Sequence, residues 1–380
     1  MKILVTDGDY KHTLGIVRSL GGQGHRVSVL VQSRQEIAAC SKYCSAVEVV
    51  PPLTLENFPG VVSEVLERTQ HDLLLPVGYL STLAAARNKK HLGLLTRLEV
   101  AETAQIELAA DKKRVRELAL RLGIKAPVSV YPSTIEEARE LSGSLKYPVI
   151  LKAASEGLPK GIRVVKSKEE FTPNYESLRA TWKLSPNELP MVQSFVPGYG
   201  CGFFALYQNG VCKRIFMHRR IREYPPSGGV SCCAESFYDP CLKEAGIKLL
   251  DALNWHGVAM VEFRYDPDQK EYTLLEVNPK FWGSLDLALA AGADFPRYLC
   301  EMASGENLSY GEDYTFPLRY HWPLSGEIQH LFMRPAAFGA IAADSLNPWV
   351  KSNLQVSDWG PNAREFSTVM GSLRRRILKG

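Results

Sequence analysis

Two hydrophobic rhythms organise the chain. Near the N-terminus, short apolar runs alternate with stretches of helical spacing. Lys2-Ile-Leu-Val-Thr6, Arg26-Val-Ser-Val-Leu-Val31, the valines at 47, 49 and 50, and Asp72-Leu-Leu-Leu-Pro76 read as four buried strands. Leu14, Val17, Arg18 and Leu20 keep helical spacing up to Gly21–Gly22, and residues 55–68 do the same. Strands alternating with helices predict a parallel, doubly wound sheet, which binds ligands beyond the carboxyl ends of its strands. Those ends carry Thr6 to Asp9 and Pro76 to Tyr79. The GxGxxG spacing is absent after the first strand, so a structural or acceptor-binding role fits better than NAD binding.

From about residue 110 the rhythm changes. Asp111 is an N-cap candidate for a helix that stops at Gly123, and Pro127 opens a strand. Lys146-Tyr-Pro-Val-Ile-Leu-Lys152 is an apolar strand with a lysine at its end. A polar loop holding Gly157, Lys160 and Gly161 leads to a second strand. A lysine there is costly to desolvate unless it meets an anion, and free backbone N–H groups beside it suit a phosphate cover. Pro190 to Gly198 is another strand. Residues 203–207 and 211–217 form a hairpin around Gln208-Asn209-Gly210. Arg219, Arg220 and Arg222 follow on an expected Pro/Gly-rich loop, where guanidinium groups match a carboxylate or phosphate bidentately. His256 reads as structural. After Gly311 the prolines and tryptophans predict short helices packed on the body.

One stretch, residues 257–280, reads as a hairpin turning near Gln269. Side chains alternate between faces. Val261, Phe263, Leu275 and Val277 share an apolar face, while Glu262, Arg264, Glu276 and Asn278 share the other. Glu262 and Glu276 then face each other across the ladder, an arrangement that repels unless a divalent cation lies between them. Glu, Glu and Asn offer only oxygen ligands, which suits Mg²⁺ or Mn²⁺ holding a polyphosphate.

Composition narrows the classes. The 380 residues are 45% hydrophobic and 23% charged, with a net charge of +4, which predicts a globular chain of two or three domains and no nucleic acid partner. Eight scattered cysteines form no paired CxxC set and fit a reducing, cytoplasmic setting. No run of about 18 apolar residues occurs, so no membrane partner is expected.

In order, Tyr147-Pro-Val-Ile-Leu-Lys-Ala153, Lys160-Gly-Ile-Arg-Val-Val165, Val261-Glu-Phe-Arg-Tyr-Asp-Pro-Asp268 and Leu275-Glu-Val-Asn-Pro-Lys280 resemble an ATP-grasp enzyme of the carbamoyl-phosphate synthetase, biotin carboxylase and D-aspartate ligase branch. The resemblance runs from roughly Lys2 to Arg297. It implies a fold of mixed α/β and α+β class: an N-terminal Rossmann-like pre-ATP-grasp domain over 1–110, ATP-grasp lobes over 111–190 and 191–310, and a tail over 311–380. It implies that Lys112 and Lys152 reach the nucleotide phosphates and that Lys160 and Gly161 cover them. Gln193, Ser194, Phe195 and Val196 would hold adenine, and Glu262, Glu276 and Asn278 would bind magnesium. Arg219, Arg220, Arg222 and Lys280 would steady a substrate carboxylate and its acyl phosphate. Three departures stand out: a glycine-poor covering loop, Gln193 where many relatives have glutamate, and Lys280 in place of the arginine common after Asn-Pro. The implied activity is an ATP-dependent carboxylate–amine ligase, with ATP and Mg²⁺ (or Mn²⁺), small-molecule substrates and a possible homodimer. A phosphotransferase acting on a hydroxyl would need the same nucleotide site, and a non-catalytic ATP-binding protein is the third class.

Overall fold

A computed structural model describes residues 1–152, 161–182, 184, 189–226 and 228–377. Four parallel strands begin the chain: β1 (Lys2–Val5), β2 (Arg26–Val31), β3 (Ala46–Val49) and β4 (Leu73–Leu75), in the order β3-β2-β1-β4. Ile3, Leu4 and Val5 are wholly buried, as expected of a strand covered on both faces. The helix Lys11–Gly22 joins β1 to β2 and buries Leu14, Val17 and Leu20. This is the doubly wound sheet that the alternating pattern predicts. Gly15 lets that helix approach closely, since a Cβ there would sit 2.3 Å from Asp286 Oδ1.

The second sheet is antiparallel: β5 (Ser129–Val130), β6 (Val149–Lys152), β7 (Ile162–Val165) and β8 (Met191–Ser194), in the order β5-β8-β6-β7. Val149, Leu151 and Val192 pack with Phe171, Tyr175 and Leu178 as a separate small core. The helix Lys112–Arg121 precedes it. Asp111 caps that helix, accepting from the N–H groups of Lys113 at 2.9 Å and Arg114 at 3.0 Å. Gly123, at φ 73°, ends it as anticipated.

Seven strands make the third sheet: β9 (Tyr199–Gln208), β10 (Val211–Tyr224), β11 (Val230–Ser236), β12 (Gly257–Asp266), β13 (Glu271–Asn278), β14 (Arg319–His321) and β15 (Lys351–Ser352), in the order β13-β12-β9-β10-β11-β14-β15. Asn209 and Gly210 both have positive φ, which is the type I′ requirement behind the Asn-Gly signal. Asp266 Oδ1 accepts from Asp268 N–H at 3.0 Å and starts the turn between β12 and β13.

Three expectations are corrected here. Arg219, Arg220 and Arg222 do not lie on a loop. β10 continues through them to Tyr224, with a register shift between Arg220 and Arg222, because carboxylates on neighbouring elements take up their charge. The tail is not only short helices. It adds β14 and β15 to the sheet and ends in the 19-residue helix Trp359–Ile377. On the hairpin, Val261, Phe263 and Val277 are buried as expected, but Leu275 is half-buried and Leu274, on the opposite face, is buried instead.

The chain forms two compact units. One comprises 1–115, 201–262 and 276–380, and the other 116–200 and 263–275. The hairpin contributes its tip to the smaller unit and its base to the larger. Cys232 and Cys233 are buried, and none of the eight cysteines forms a disulfide. His256 is structural: its Nε2 lies 2.9 Å from Glu99 Oε2, and its Nδ1 accepts from Asn209 N–H at 3.1 Å. Among the described residues no helix is long and apolar enough to cross a membrane.

Candidate functional site

In the larger unit, the base of the hairpin and the middle of β10 bring together a compact charged group. Glu262 Oε2 lies 2.8 Å from Arg220 Nη2. Arg220 also donates through Nη1 to Glu223 Oε1 at 2.9 Å and to Gly229 O at 3.1 Å. Glu276 Oε2 is 3.8 Å from Lys112 Nζ, and Asn278 Nδ2 donates to Glu276 Oε1 at 3.1 Å. Burial holds the Glu262 carboxyl above its ordinary range; Arg220 pulls the other way, while Glu276 and Glu223 push it further up. Three carboxylates thus share two fixed cations, and Glu262 and Glu276 are near enough to repel.

That electrostatic arrangement fits a divalent ion. Among the described residues no group of three or more His, Cys, Asp or Glu could hold a metal ion alone. An ion on Glu262, Glu276 and Asn278 would complete its shell with phosphate oxygens and water, as Mg²⁺ commonly does.

The three arginines part company. Arg220 alone meets the hairpin. Arg219 pairs with Glu235 Oε1 at 2.5 Å, and Glu235 Oε2 is shared with Arg319 at 2.8 Å. Arg222 is buried and donates to Glu327 Oε1 at 2.8 Å and Asp344 Oδ2 at 2.5 Å, both from the tail. Lys280 follows the hairpin, with Nζ 3.4 Å from Phe281 O, and its charge reaches His12.

Two histidines escaped the sequence reading. His12 is only 8% exposed, and its Nε2 has no hydrogen-bond partner. Burial, then Lys280 and Lys11, hold it well below the usual imidazole range. His218 is wholly buried, with Nε2 2.6 Å from Ser284 Oγ and no partner on Nδ1. Burial and then Arg220 push it down to about 3. Lys11 donates to Ser231 O at 2.9 Å, lies over the Trp322 ring, and is pushed down to about 8 by burial. The signal for His12 was its place just past the carboxyl end of β1. His218 gave none beyond adjacency to the arginines.

In the smaller unit, Lys152 ends β6, opposite Ile162 of β7 and Met191 of β8, and is buried. Gly161 is buried just before β7. Lys160 lies outside the described residues. Gln193 is buried on β8 and donates from Nε2 to Ser129 Oγ at 3.1 Å. Ser194 N–H donates to Val128 O at 2.8 Å, Phe195 is exposed, and Val196 is half-buried.

Residues 111–196 match the family model described as carbamoyl-phosphate synthase L chain, ATP binding domain. Among solved structures, the chain is similar to Campylobacter jejuni biotin carboxylase in a complex with β-γ-ATP, at 18% identity over 84% of this chain and 74% of that one, with a TM-score of 0.68. It is also similar to the biotin carboxylase domain dimer of Hydrogenobacter thermophilus 2-oxoglutarate carboxylase, in complex with MgADP, ADP and bicarbonate: 15% identity, 84% and 73% covered, TM-score 0.67. An ADP complex of N5-carboxyaminoimidazole ribonucleotide synthetase matches at 16% identity, with 82% and 78% covered and a TM-score of 0.64. The chain has the ATP-grasp fold, and residues 111–196 are similar to the ATP-binding domain that this family model describes.

Proposed function

We propose that this protein is an ATP-dependent carboxylate–amine ligase that forms an amide bond through an acyl phosphate and releases ADP and phosphate. The observation that carries the reading is the pair Glu262 and Glu276, set close together with Asn278 and Arg220 in a chain whose residues 111–196 match an ATP-binding family. Magnesium bound there would neutralise polyphosphate charge. Glu262, Glu276 and Asn278 would hold the ion. Lys112, Lys152, Lys160 and Gly161 would bind the phosphates, and residues 193–196 the adenine. Arg220 and Lys280 are the groups proposed to steady the substrate carboxylate and the acyl-phosphate oxygens. Arg219 and Arg222, engaged with Glu235, Glu327 and Asp344, would set the line of β10 instead. In phosphoryl transfer of this kind the protein contributes mainly position and electrostatic stabilisation. A homodimer is proposed on the likeness to the 2-oxoglutarate carboxylase domain alone.

The test is a screen of amino acids in pairs for phosphate release, with mass spectrometry of the product. For any active pair, an ¹⁸O-labelled carboxylate is expected to pass label into phosphate. ADP release with a phosphorylated product and no free phosphate would support transfer to a hydroxyl instead. Glu276→Ala is expected to abolish ADP release, and retained turnover with unchanged Mg²⁺ dependence would overturn the metal assignment.

A further inference from the structure

The helix Trp359–Ile377 faces the wrong way for a core helix. Its buried side carries Asn362, Glu365 and Val369. Glu365 is held there by Ser325 and by Asn353, whose Nδ2 donates to its Oε2 at 3.0 Å. Trp359, Phe366 and Met370 are exposed, Trp359 by 64% and Phe366 by 56%. At i, i+7 and i+11 these three lie on one stripe. The segment leading into the helix projects more apolar side chains: Leu346 is 85% exposed, Trp349 80% and Val356 91%. Outward-facing apolar side chains of this size normally mark an interaction surface.

The charges around them identify the partner. Residues 332–377 contain three acidic side chains, Asp344, Asp358 and Glu365, and all are buried. Asp344 pairs with Arg222, and Asp358 with Arg18. The exposed charges described in the same stretch are Arg334, Lys351 and Arg374. An exposed apolar stripe that starts at a tryptophan, in a stretch whose described exposed charges are all basic, matches an anionic lipid surface. Two copies of this face would set like charges against each other. A folded acidic partner would need a separate pocket for each projecting side chain, whereas a headgroup layer admits each where it falls.

We propose that this tail surface docks the protein on an anionic bilayer. Trp349, Trp359, Phe366 and Met370 enter the headgroup layer, and Arg334, Lys351 and Arg374 meet lipid phosphates. Such docking needs no spanning helix, so it is compatible with the lack of an apolar span.

The test is co-sedimentation of the full chain with phosphatidylcholine vesicles, with and without phosphatidylglycerol, at low and high salt. Binding is expected to be at least about tenfold tighter to the anionic vesicles, to weaken with salt, and to shift tryptophan fluorescence to the blue. Trp349→Ser/Trp359→Ser/Phe366→Ser and Arg334→Gln/Lys351→Gln/Arg374→Gln are each expected to cut it by about tenfold or more, with an unchanged thermal melt. Absence of vesicle binding, or binding that both variants retain, would overturn the proposal. So would a lipid-free dimer that the serine variant dissolves. Equal, salt-sensitive binding to heparin without a fluorescence shift would also overturn it, in favour of an acidic macromolecule.

Discussion

Glu262 sits under three opposing influences: burial and its carboxylate neighbours favour the proton, and Arg220 favours the anion. Because its folded-state value lies above the ordinary 4.5, the folded protein holds this proton more tightly than the unfolded chain. The stability it contributes is therefore complete below the ordinary carboxyl range and is lost as pH rises through the folded value. At the proposed metal site a divalent cation would compete with the same proton. Mn²⁺ affinity, followed by calorimetry or EPR, is accordingly expected to rise as pH climbs past the ordinary carboxyl range and then level off. Glu262→Gln would flatten that rise and weaken binding. An unchanged pH profile in the variant would show that another group controls the metal. His218, held neutral near 3, keeps the same charge across this window and does not contribute to the rise.

At the scale of the element, the proposed function divides the arginines of β10 into structural and functional ones. Arg222→Ala leaves Glu327 and Asp344 buried around a lost guanidinium, although Arg319 still pairs with Asp344 at 3.1 Å. A loss of about 3 kcal/mol in unfolding free energy is expected from denaturant titration. Arg220→Lys, by contrast, is expected to depress ADP release by about a hundredfold or more with a smaller change in stability, because an ammonium cannot bridge Glu223 and Glu262 as the planar fork does. Equal destabilisation by the two would refute the division of roles. The sequence announced the turn at Asn209–Gly210 and the strand that follows it, because positive φ leaves a compositional mark. It did not announce where β10 ends. Charged residues mark strand interiors only when their partners are known, and Glu235, Glu327 and Asp344 lie 16, 105 and 122 positions away from theirs. Likewise Cys-Cys-Ala in β11 carries little strand propensity, so β11, its partner β14 and the strand β15 beyond β14 went unread. The proximity of Glu262, Glu276 and Asn278 was legible because a hairpin of regular alternation fixes which side chains share a face.

For the whole molecule, the tail is an integral part of the larger unit. Asp358 accepts from Arg18 Nε, Ser41 Oγ and Lys42 N–H, each at 2.8 Å, and joins the tail to the first helix and the loop after β2. Asp358→Ala strands a buried guanidinium and is expected to cost about 3–5 kcal/mol, seen as a lower denaturant midpoint. It would also release the tail to limited proteolysis before the rest of the chain. A variant with the wild-type midpoint would mean that the tail docks through its apolar contacts alone. No local pattern could have foretold this link, since Arg18 reads simply as a polar position within an amphipathic helix.

The interleaving of the two units sets an order on synthesis. The smaller antiparallel sheet has all its strands between Ser129 and Ser194, so a nascent chain can close it early. The N-terminal parallel sheet takes all its strands from residues 2–75, but the helix beside it is fastened last: Arg18 waits for a carboxylate 340 positions downstream. Throughout that interval the emerging polypeptide carries an unmatched guanidinium beside apolar surface, a state that chaperones recognise and proteases cut. Resistance of the first hundred residues to digestion on the ribosome would therefore be acquired only when the last helix has left the exit tunnel.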